Sequence, residues 1–220
     1  MKKRALGLGF ALVIVLSLAV SSCSAVKSGV GEVMKGKIEQ GAWSADGKTF
    51  TNEWSSIKFT MPATGFTAAS KEEIDEMMRV GMEAIGQTGL NTDIAEMSMV
   101  YDFVVSADVG MPSLMLVYEN IKFNAAVSKA DENGYLDVLK TQLAQLEAQG
   151  YYYTEHGRST VTIAGIEWRS ASYSLNDVVM QDYYLHLSDG YMWQIVITYG
   201  NDSDSEAAVK VLIEGFAAAE

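Results

Sequence analysis

The order of apolar and polar residues divides the chain into three regions. Residues 5–20 form an almost unbroken apolar run behind three basic residues at positions 2–4. Residues 24–36 show no apolar periodicity and contain several Ser and Gly, which is typical of a flexible tether. From residue 37 onward, apolar positions recur with the periods of strands and helices. This pattern predicts one globular domain over residues 37–220.

The first part of this domain has the pattern of short strands. Residues 37–43 and 48–54 flank Asp46-Gly47, a dipeptide that favours a two-residue hairpin turn. Residues 57–61 then alternate apolar and polar side chains up to a proline, which cannot continue a hydrogen-bonded ladder. We therefore predict a hairpin followed by a third strand.

Three segments have the apolar spacing of amphipathic helices. The first begins at Ser70, and Glu73 completes a capping box that satisfies amide groups at the helix start. The second covers residues 131–149 and carries a stripe of leucines. The third begins at Ser203, with Glu206 in the corresponding box position. These helices are available to cover a sheet.

Longer strands with apolar residues lie between these helices. Residues 94–106 and 113–123 predict an antiparallel pair, and residues 159–199 predict three hairpin-linked strands and part of a fourth. Strict alternation along the first of these strands predicts that five side chains share one face: Met97, Met99, Tyr101, Phe103 and Val105.

The last hairpin favours one architecture. If Asp189-Gly190 is a two-residue turn, His186 lies opposite Trp193, and both faces of the strand pair are largely apolar. Both faces then need covering. We therefore predict an α+β fold in which a mainly antiparallel sheet is covered by helices on both faces.

The apolar run ends in Val20-Ser21-Ser22-Cys23. The run and its basic head have the layout of a secretory signal, and the run is shorter than the roughly 20 residues of a membrane-spanning helix. The four residues resemble the lipobox of bacterial lipoproteins, in which an aliphatic residue and two small residues precede a Cys. The resemblance implies that residues 1–22 are a signal peptide. The alternative is an ordinary cleaved signal with an incidental Cys.

In that lipoprotein family the Cys becomes the first residue of the mature chain and carries a diacylglyceryl group, often with a palmitate or similar chain on its amine. The resemblance implies that Cys23 is lipidated and that residues 23–36 tether the domain. Two or more acyl chains give lasting attachment to a bilayer. The implied location is the extracytoplasmic face of the cell membrane.

Composition and charge argue against several classes of function. The formal net charge of −12 disfavours nucleic acid as a partner, because neutralising phosphates requires clustered Lys and Arg. One Cys excludes internal disulfides, and two His exclude a three-histidine metal centre within one chain. We predict no metal site and no cofactor.

The first strands are also similar to a known family. Residues 51–54 (Thr-Asn-Glu-Trp), residues 57–62 (Ile-Lys-Phe-Thr-Met-Pro) and Gly65-Phe66 resemble the first hairpin of PsbP-like domains. In that family a strand of the pattern F-x-x-P-x-G-W precedes a helix. The resemblance implies an α/β/α sandwich and a binding or accessory role. It supplies no catalytic residues.

The chain offers few groups for catalysis. Neither G-x-S-x-G nor H-E-x-x-H occurs in it. His156 is predicted to lie in a polar loop, and His186 on a strand beside an aromatic residue. No catalytic residue is assigned, and an enzymatic activity is less favoured than binding. The alternative is an extracytoplasmic hydrolase built on carboxylates and His186.

Aromatic residues are the candidates for a binding surface, because Tyr and Trp often anchor recognition. Three consecutive tyrosines cannot all point into one core from a strand. With residues of the predicted sheet, the candidate set is Tyr151, Tyr152, Tyr153, Trp168, His186, Tyr191 and Trp193. The alternative is that most of these residues pack in the core.

The sequence therefore predicts a membrane-anchored, extracytoplasmic lipoprotein with a non-catalytic binding or accessory role. Its expected partners are the membrane, through the N-terminal acyl chains, and a protein or a small ligand. Nucleic acid is not expected to bind.

Overall fold

The computed structural model describes residue 33, residues 35–86 and residues 98–219. The signal segment, Cys23 and the start of the strand predicted at residues 94–106 lie outside the described residues. The described chain has a mixed α/β fold with two antiparallel sheets. None of the helices in these ranges is long and apolar enough to cross a bilayer.

Short strands at the start and end of the domain form one sheet, and longer strands form the other. The strands are β1 (Ala42–Trp43), β2 (Thr49–Asn52), β3 (Ile57–Thr60), β4 (Phe66–Ala68), β5 (Met99–Ala107), β6 (Ser113–Asn120), β7 (Tyr153–Ile163), β8 (Ile166–Leu175), β9 (Val179–Ser188), β10 (Tyr191–Gly200) and β11 (Phe216–Ala218). The four-stranded sheet has the order β1-β2-β3-β11, and the seven-stranded sheet has the order β4-β5-β6-β10-β9-β8-β7.

The helices are α1 (Lys71–Gly86), α2 (Glu132–Gln145) and α3 (Ser203–Glu214), and single 3₁₀ turns cover Ile121–Phe123 and Leu146–Gln149. The predicted capping box of α1 is confirmed. The Ser70 amide donates to Glu73 Oε2 at 2.8 Å, and the Glu73 amide donates to Ser70 Oγ at 3.3 Å.

The cap of α3 differs from the prediction. The helix begins at Ser203, but the capping side chain is Asp202, whose Oδ1 accepts from the Ser205 amide at 2.9 Å. Asp202 Oδ2 also accepts from the Ser205 hydroxyl at 2.8 Å. A carboxylate is a strong acceptor at a helix start, where it also interacts favourably with the helix dipole. It therefore takes the place of the predicted Ser203–Glu206 box.

One face of the seven-stranded sheet, here called the helix face, packs against α2. Its buried cluster combines leucines of α2 with alternate residues of the strands: Leu136, Leu139, Leu143, Val117, Tyr183, Leu185 and Val196. Ile74 and Met77 of α1 pack against the same cluster. The leucine stripe predicted for the second helix is therefore the side that faces the sheet.

The opposite face, here called the hairpin face, packs against the four-stranded sheet. The Phe103 ring of β5 lies 4.6 Å from the Phe50 ring, 5.1 Å from Phe59 and 6.4 Å from Phe216, measured between centroids. Leu212 of α3 belongs to the same buried cluster. Aromatic rings of β2, β3 and β11 thus supply much of this half of the core.

The predicted cover of helices on both faces is therefore replaced by a less symmetric arrangement. Helices pack on the helix face, whereas a second sheet with α3 beside it packs on the hairpin face. Strand β11, at the end of the domain, adds a fourth strand to this sheet by pairing with β3, which places Phe216 opposite Phe59. Local pattern cannot show that pairing, since the partners are more than 150 residues apart in the chain.

The predicted register of the last hairpin is confirmed. Trp193 lies opposite His186, and Ile195 lies opposite Tyr184. Asp189 has a φ of 51° and Gly190 a φ of 82°, the positive values that this kind of turn requires of its central residues. A two-residue turn therefore sets which side chains of β9 and β10 share a face.

A bulge in β5 changes the faces predicted for that strand. Tyr101 pairs with Val117 and Phe103 pairs with Leu116, so Asp102 is an extra residue between them. Tyr101 therefore packs toward the helix face, while Phe103 packs in the hairpin-face cluster. The prediction that both side chains share one face was wrong, because a bulge shifts the alternation by one residue.

Strand β7 begins earlier than predicted and contains a second bulge. Glu155 pairs with Tyr173 and Gly157 pairs with Ser172, which leaves His156 as the extra residue. His156 is exposed, and it lies in a strand and not in the predicted loop. Gly157 has a φ of 149°, a backbone conformation that residues with a Cβ rarely adopt.

Candidate functional site

A cleft of about 390 Å³ lies on β7, β8 and β9, beside the part of the hairpin face that the four-stranded sheet covers. Its polar side chains come from alternate positions of these strands: Ser159, Ser170, Ser172, Asp182 and Tyr184. We call this group the serine–aspartate cleft. His156 and Gly157, at the β7 bulge, also line it.

Asp182 is the acceptor at the centre of the cleft. Its Oδ1 accepts a hydrogen bond from Ser172 Oγ at 2.6 Å. Its Oδ2 accepts from Tyr199 OH at 3.1 Å and from Tyr184 OH at 3.4 Å. Burial raises the pKa of Asp182, although these three donors act in the opposite direction. The carboxylate is thus held in one orientation by three hydroxyl groups.

Strand register places the serines in line with this carboxylate. Ser159 lies opposite Ser170, Ser170 lies opposite Tyr184, and Ser172 lies opposite Asp182. The Ser159 and Ser170 hydroxyl oxygens are 2.7 Å apart. Residues opposite one another in neighbouring strands point to the same face, so the row of hydroxyls follows directly from the pairing of β7, β8 and β9.

The chemistry of the cleft suits binding better than nucleophilic attack. The Ser172 hydroxyl donates to a carboxylate and not to a histidine, and a carboxylate is a poor base toward an alcohol. The carboxylate and hydroxyl oxygens are instead acceptors for a ligand that carries ammonium or hydroxyl groups. Within residues 35–86 and 98–219, no three His, Cys, Asp or Glu side chains are placed to hold a metal ion.

Three of the sequence-predicted residues come together elsewhere, in an aromatic row across the sheet. The His186 ring lies 5.8 Å from the Trp168 ring and 5.2 Å from the Trp193 ring, and Trp193 lies 5.8 Å from Tyr118. Trp168 is fully buried and Trp193 nearly so. Nδ1 of His186 is 3.0 Å from the main-chain oxygen of Glu167. These contacts are those of a packed core with a histidine at its edge.

Tyr191 joins this row through Trp54, and the three consecutive tyrosines lie apart from it. Tyr191 is nearly buried, and the Trp54 ring lies 5.3 Å from its ring and 5.7 Å from the Trp193 ring. Tyr151 and Tyr153 pack against the helix face, whereas the side chain of Tyr152 is 60% exposed. The seven candidates therefore do not form one continuous surface.

The sequence pattern does not predict a site formed by Asp182 with Ser172, Tyr184 and Tyr199. Serines at alternate positions 170, 172 and 174 of β8 are the local signal, because a strand turns them to one face. Asp182 joins them only through the pairing of β8 with β9. The loop between the two strands has three residues, 176–178, because Leu175 pairs with Val179. A two-residue turn at Asn176-Asp177 would have placed Gln181 opposite Ser172, so the local turn signal does not predict this site.

The similarity of this protein to known proteins lies in the path of its chain and not in its sequence. No known family matches the sequence, and no curated protein matches it. Among solved structures, the chain is similar to the solution structure of cyanobacterial PsbP (CyanoP) from Synechocystis sp. PCC 6803. The TM-score is 0.49 and the sequence identity is 9%, over 90% of this chain and 98% of that chain.

Proposed function

We propose that this protein is a lipoprotein, held on the extracytoplasmic face of the membrane by acyl chains on Cys23. The observation that carries the proposal is the run of residues 5–20 followed by Val20-Ser21-Ser22-Cys23. A Cys immediately after two small residues, at the end of a signal-like segment, matches the place where lipid transfer occurs in that family. The anchor would leave the folded domain outside the cytoplasm.

We further propose that the domain has a non-catalytic binding or accessory role, with the serine–aspartate cleft as its ligand site. Two observations support this role. Asp182 is oriented by three hydroxyl donors, and the cleft is open enough to admit a small polar molecule. A ligand that carries an ammonium group beside hydroxyl groups would complement a carboxylate surrounded by hydroxyls.

Replacing Cys23 with Ser is expected to abolish both lipid labelling and membrane retention, because the hydroxyl cannot replace the thiol in thioether formation. The measurement is metabolic labelling with an alkyne analogue of palmitate, followed by membrane fractionation. Ser24→Ala is the matched control and should be labelled like the wild type. A labelled Cys23→Ser protein, or an unlabelled wild-type protein, would contradict the proposal.

Replacing Asp182 with Asn is expected to weaken ligand binding about tenfold, because it removes the charge from the hydrogen bonds to a ligand cation. Glucosamine is a suitable probe, since it carries one ammonium and several hydroxyls, and gluconate tests the opposite charge. Titrations followed by ¹⁵N–¹H spectra should show shifts at Ser172 and Asp182 with glucosamine.

The control variant for this titration is Asp177→Asn, in the turn between β8 and β9 and outside the cleft. It should bind glucosamine like the wild type. Equal binding by the Asp182 variant, or stronger shifts with gluconate, would show that the carboxylate does not select the ligand.

A further inference from the structure

The two ends of the seven-stranded sheet differ in charge and in their relation to the N-terminal segment. We call the end that holds residues 35–37, residues 121–123 and Gly190 the tether end. The far end holds residues 108–112, 176–178 and 201–206, because Tyr191 lies opposite Ser188 while Gly200 lies opposite Val179. A ten-residue strand such as β10 separates the two ends by about 30 Å.

The chain joins the body at the tether end through close contacts. The Lys37 amide donates to Tyr191 OH at 3.0 Å. Gly36 passes so close that a Cβ there would lie 2.6 Å from Tyr191 OH and 2.9 Å from Asn120 Nδ2, and its φ is 70°. Only glycine fits this crossing without displacing its neighbours. The point at which the N-terminal segment leaves the body is therefore well defined.

The length of that segment limits which end can reach the membrane. Thirteen peptide steps separate Cys23 from Gly36, and they span at most about 45 Å when fully extended. This is about one and a half times the length of the sheet. If the acyl chains on Cys23 are in the bilayer, contact by the far end would require a largely extended segment running back along the body. The tether end meets the membrane without that constraint.

The distribution of charge favours the same orientation. The far-end segments contain Asp108, Asp177, Asp202, Asp204 and Glu206, and no Lys or Arg. The tether-end segments, residues 35–37, residues 121–123 and Gly190, contain Lys35, Lys37 and Lys122 and no Asp or Glu, and Asp189 stands next to Gly190. An anionic lipid surface repels the far end. The same lipid surface does not repel the tether end to a comparable degree.

The tether end also presents an apolar side chain beside a lysine. Phe123 is 45% exposed, and the neighbouring Lys122 ammonium lies 4.9 Å from the centroid of the Tyr191 ring. An exposed aromatic ring next to a lysine with an apolar stem is suited to the headgroup region of a bilayer. Phe123 is therefore the side chain best placed to enter the lipid surface.

We infer that the tether end rests on the anionic lipid surface that holds the Cys23 acyl chains, with Phe123 in the headgroup region and the acidic far end pointing away. The inference rests on the lipid anchor proposed above. In this orientation the serine–aspartate cleft lies on the side of the body, between the two ends of the sheet. The far end is then the part most accessible to the surroundings.

The test uses the full mature, acylated protein on vesicles of phosphatidylglycerol and phosphatidylcholine. Because acylation would consume the thiol of Cys23, an introduced cysteine is the single site for a fluorescent label. Phe123→Cys and Lys37→Cys report on the tether end. Val178→Cys, at an exposed far-end turn, is the matched control. Iodide quenching in the aqueous phase is compared with quenching of each labelled protein in detergent.

On vesicles, quenching at residues 123 and 37 should fall severalfold relative to detergent, while quenching at residue 178 should stay unchanged. Equal quenching at the two ends, or protection of residue 178 alone, would overturn the orientation. If the fluorescent thiol reagent reacts with Cys23 of the wild type, and the protein fails to float with the vesicles, the lipid anchor is contradicted and the orientation with it. The two failures are thus distinguishable, since the orientation fails only in protein that floats.

Discussion

Replacing Glu119 with Ala is expected to lower the free energy of unfolding by about 4 kcal/mol, because it leaves the buried Tyr135 hydroxyl and the buried Asn124 amide without this acceptor. Glu119 is fully buried. Its Oε2 accepts from Tyr135 OH at 2.5 Å and from Gln194 Nε2 at 3.4 Å, and its Oε1 accepts from Asn124 Nδ2 at 3.1 Å. The carboxyl group therefore joins β6, α2 and β10 on the helix face.

The measurement is urea unfolding of the wild type and two variants, compared through the transition midpoint. Glu119→Gln keeps the shape and one carbonyl acceptor, so it should cost about 1–2 kcal/mol, at most half the effect of the alanine variant. Glu53→Ala, at an exposed position, should stay within about 0.5 kcal/mol of the wild type. A cost below about 1 kcal/mol for Glu119→Ala would show that the polar network does not stabilise the attachment of α2.

Acidification is expected to stabilise the wild type relative to the Asp102→Asn variant. Asp102 lies between the two sheets, where Oδ1 accepts from the Gly41 amide at 2.8 Å and Oδ2 accepts from Asn52 Nδ2 at 2.7 Å. Burial raises the pKa of Asp102 to about 6 from an ordinary value of 3.8, against the effect of these donors. The folded protein therefore binds a proton at higher pH than the unfolded chain does.

The sign of the effect follows from this difference. Between pH 6 and pH 4 the folded state takes up the proton and the unfolded state does not, so lowering the pH favours folding. The stability contributed by Asp102 is complete below the unfolded pKa and is lost as the pH rises through about 6. A shift of this size corresponds to about 3 kcal/mol in full, of which about 2 kcal/mol is gained between pH 7 and pH 4. The Asn variant lacks this proton uptake.

The experiment measures unfolding free energies of the wild type and Asp102→Asn at several values between pH 4 and pH 7. Asp46→Asn serves as the matched control. The pKa of Asp46 is lowered by its hydrogen bonds from Ser44 and the Lys48 amide, so its contribution should be lost only as the pH falls below about 4. If the unfolding free energy of the wild type minus that of Asp102→Asn stays constant or falls on acidification, the raised pKa is contradicted.

Local signals predicted the elements that depend on neighbours in the chain. The capping box at Ser70, the leucine stripe of α2 and the Asp189-Gly190 turn each depend on residues a few positions apart. The register of β9 and β10 followed from that turn, because a two-residue loop leaves one antiparallel pairing. These predictions needed no long-range information.

Long-range pairing decided what the local signals could not predict. The bulges at Asp102 and His156 arise from how β5 and β7 fit their partners, and each reverses the alternation beyond it. The pairing of β11 with β3 adds Phe216 to the sheet that covers the hairpin face. Asp182 likewise meets Ser172 only because β8 and β9 pair in one register.

The sequence by itself determined the signal-like segment before Cys23, the acidic charge and the type of most helices and strands, because each depends on residues close together along the chain. The tertiary structure alone decided the faces of side chains beyond the bulges at Asp102 and His156, that a second sheet covers half of the core, and that hydroxyls converge on Asp182. The physical reason is that side chains from distant strands become neighbours only when backbone hydrogen bonds set their register.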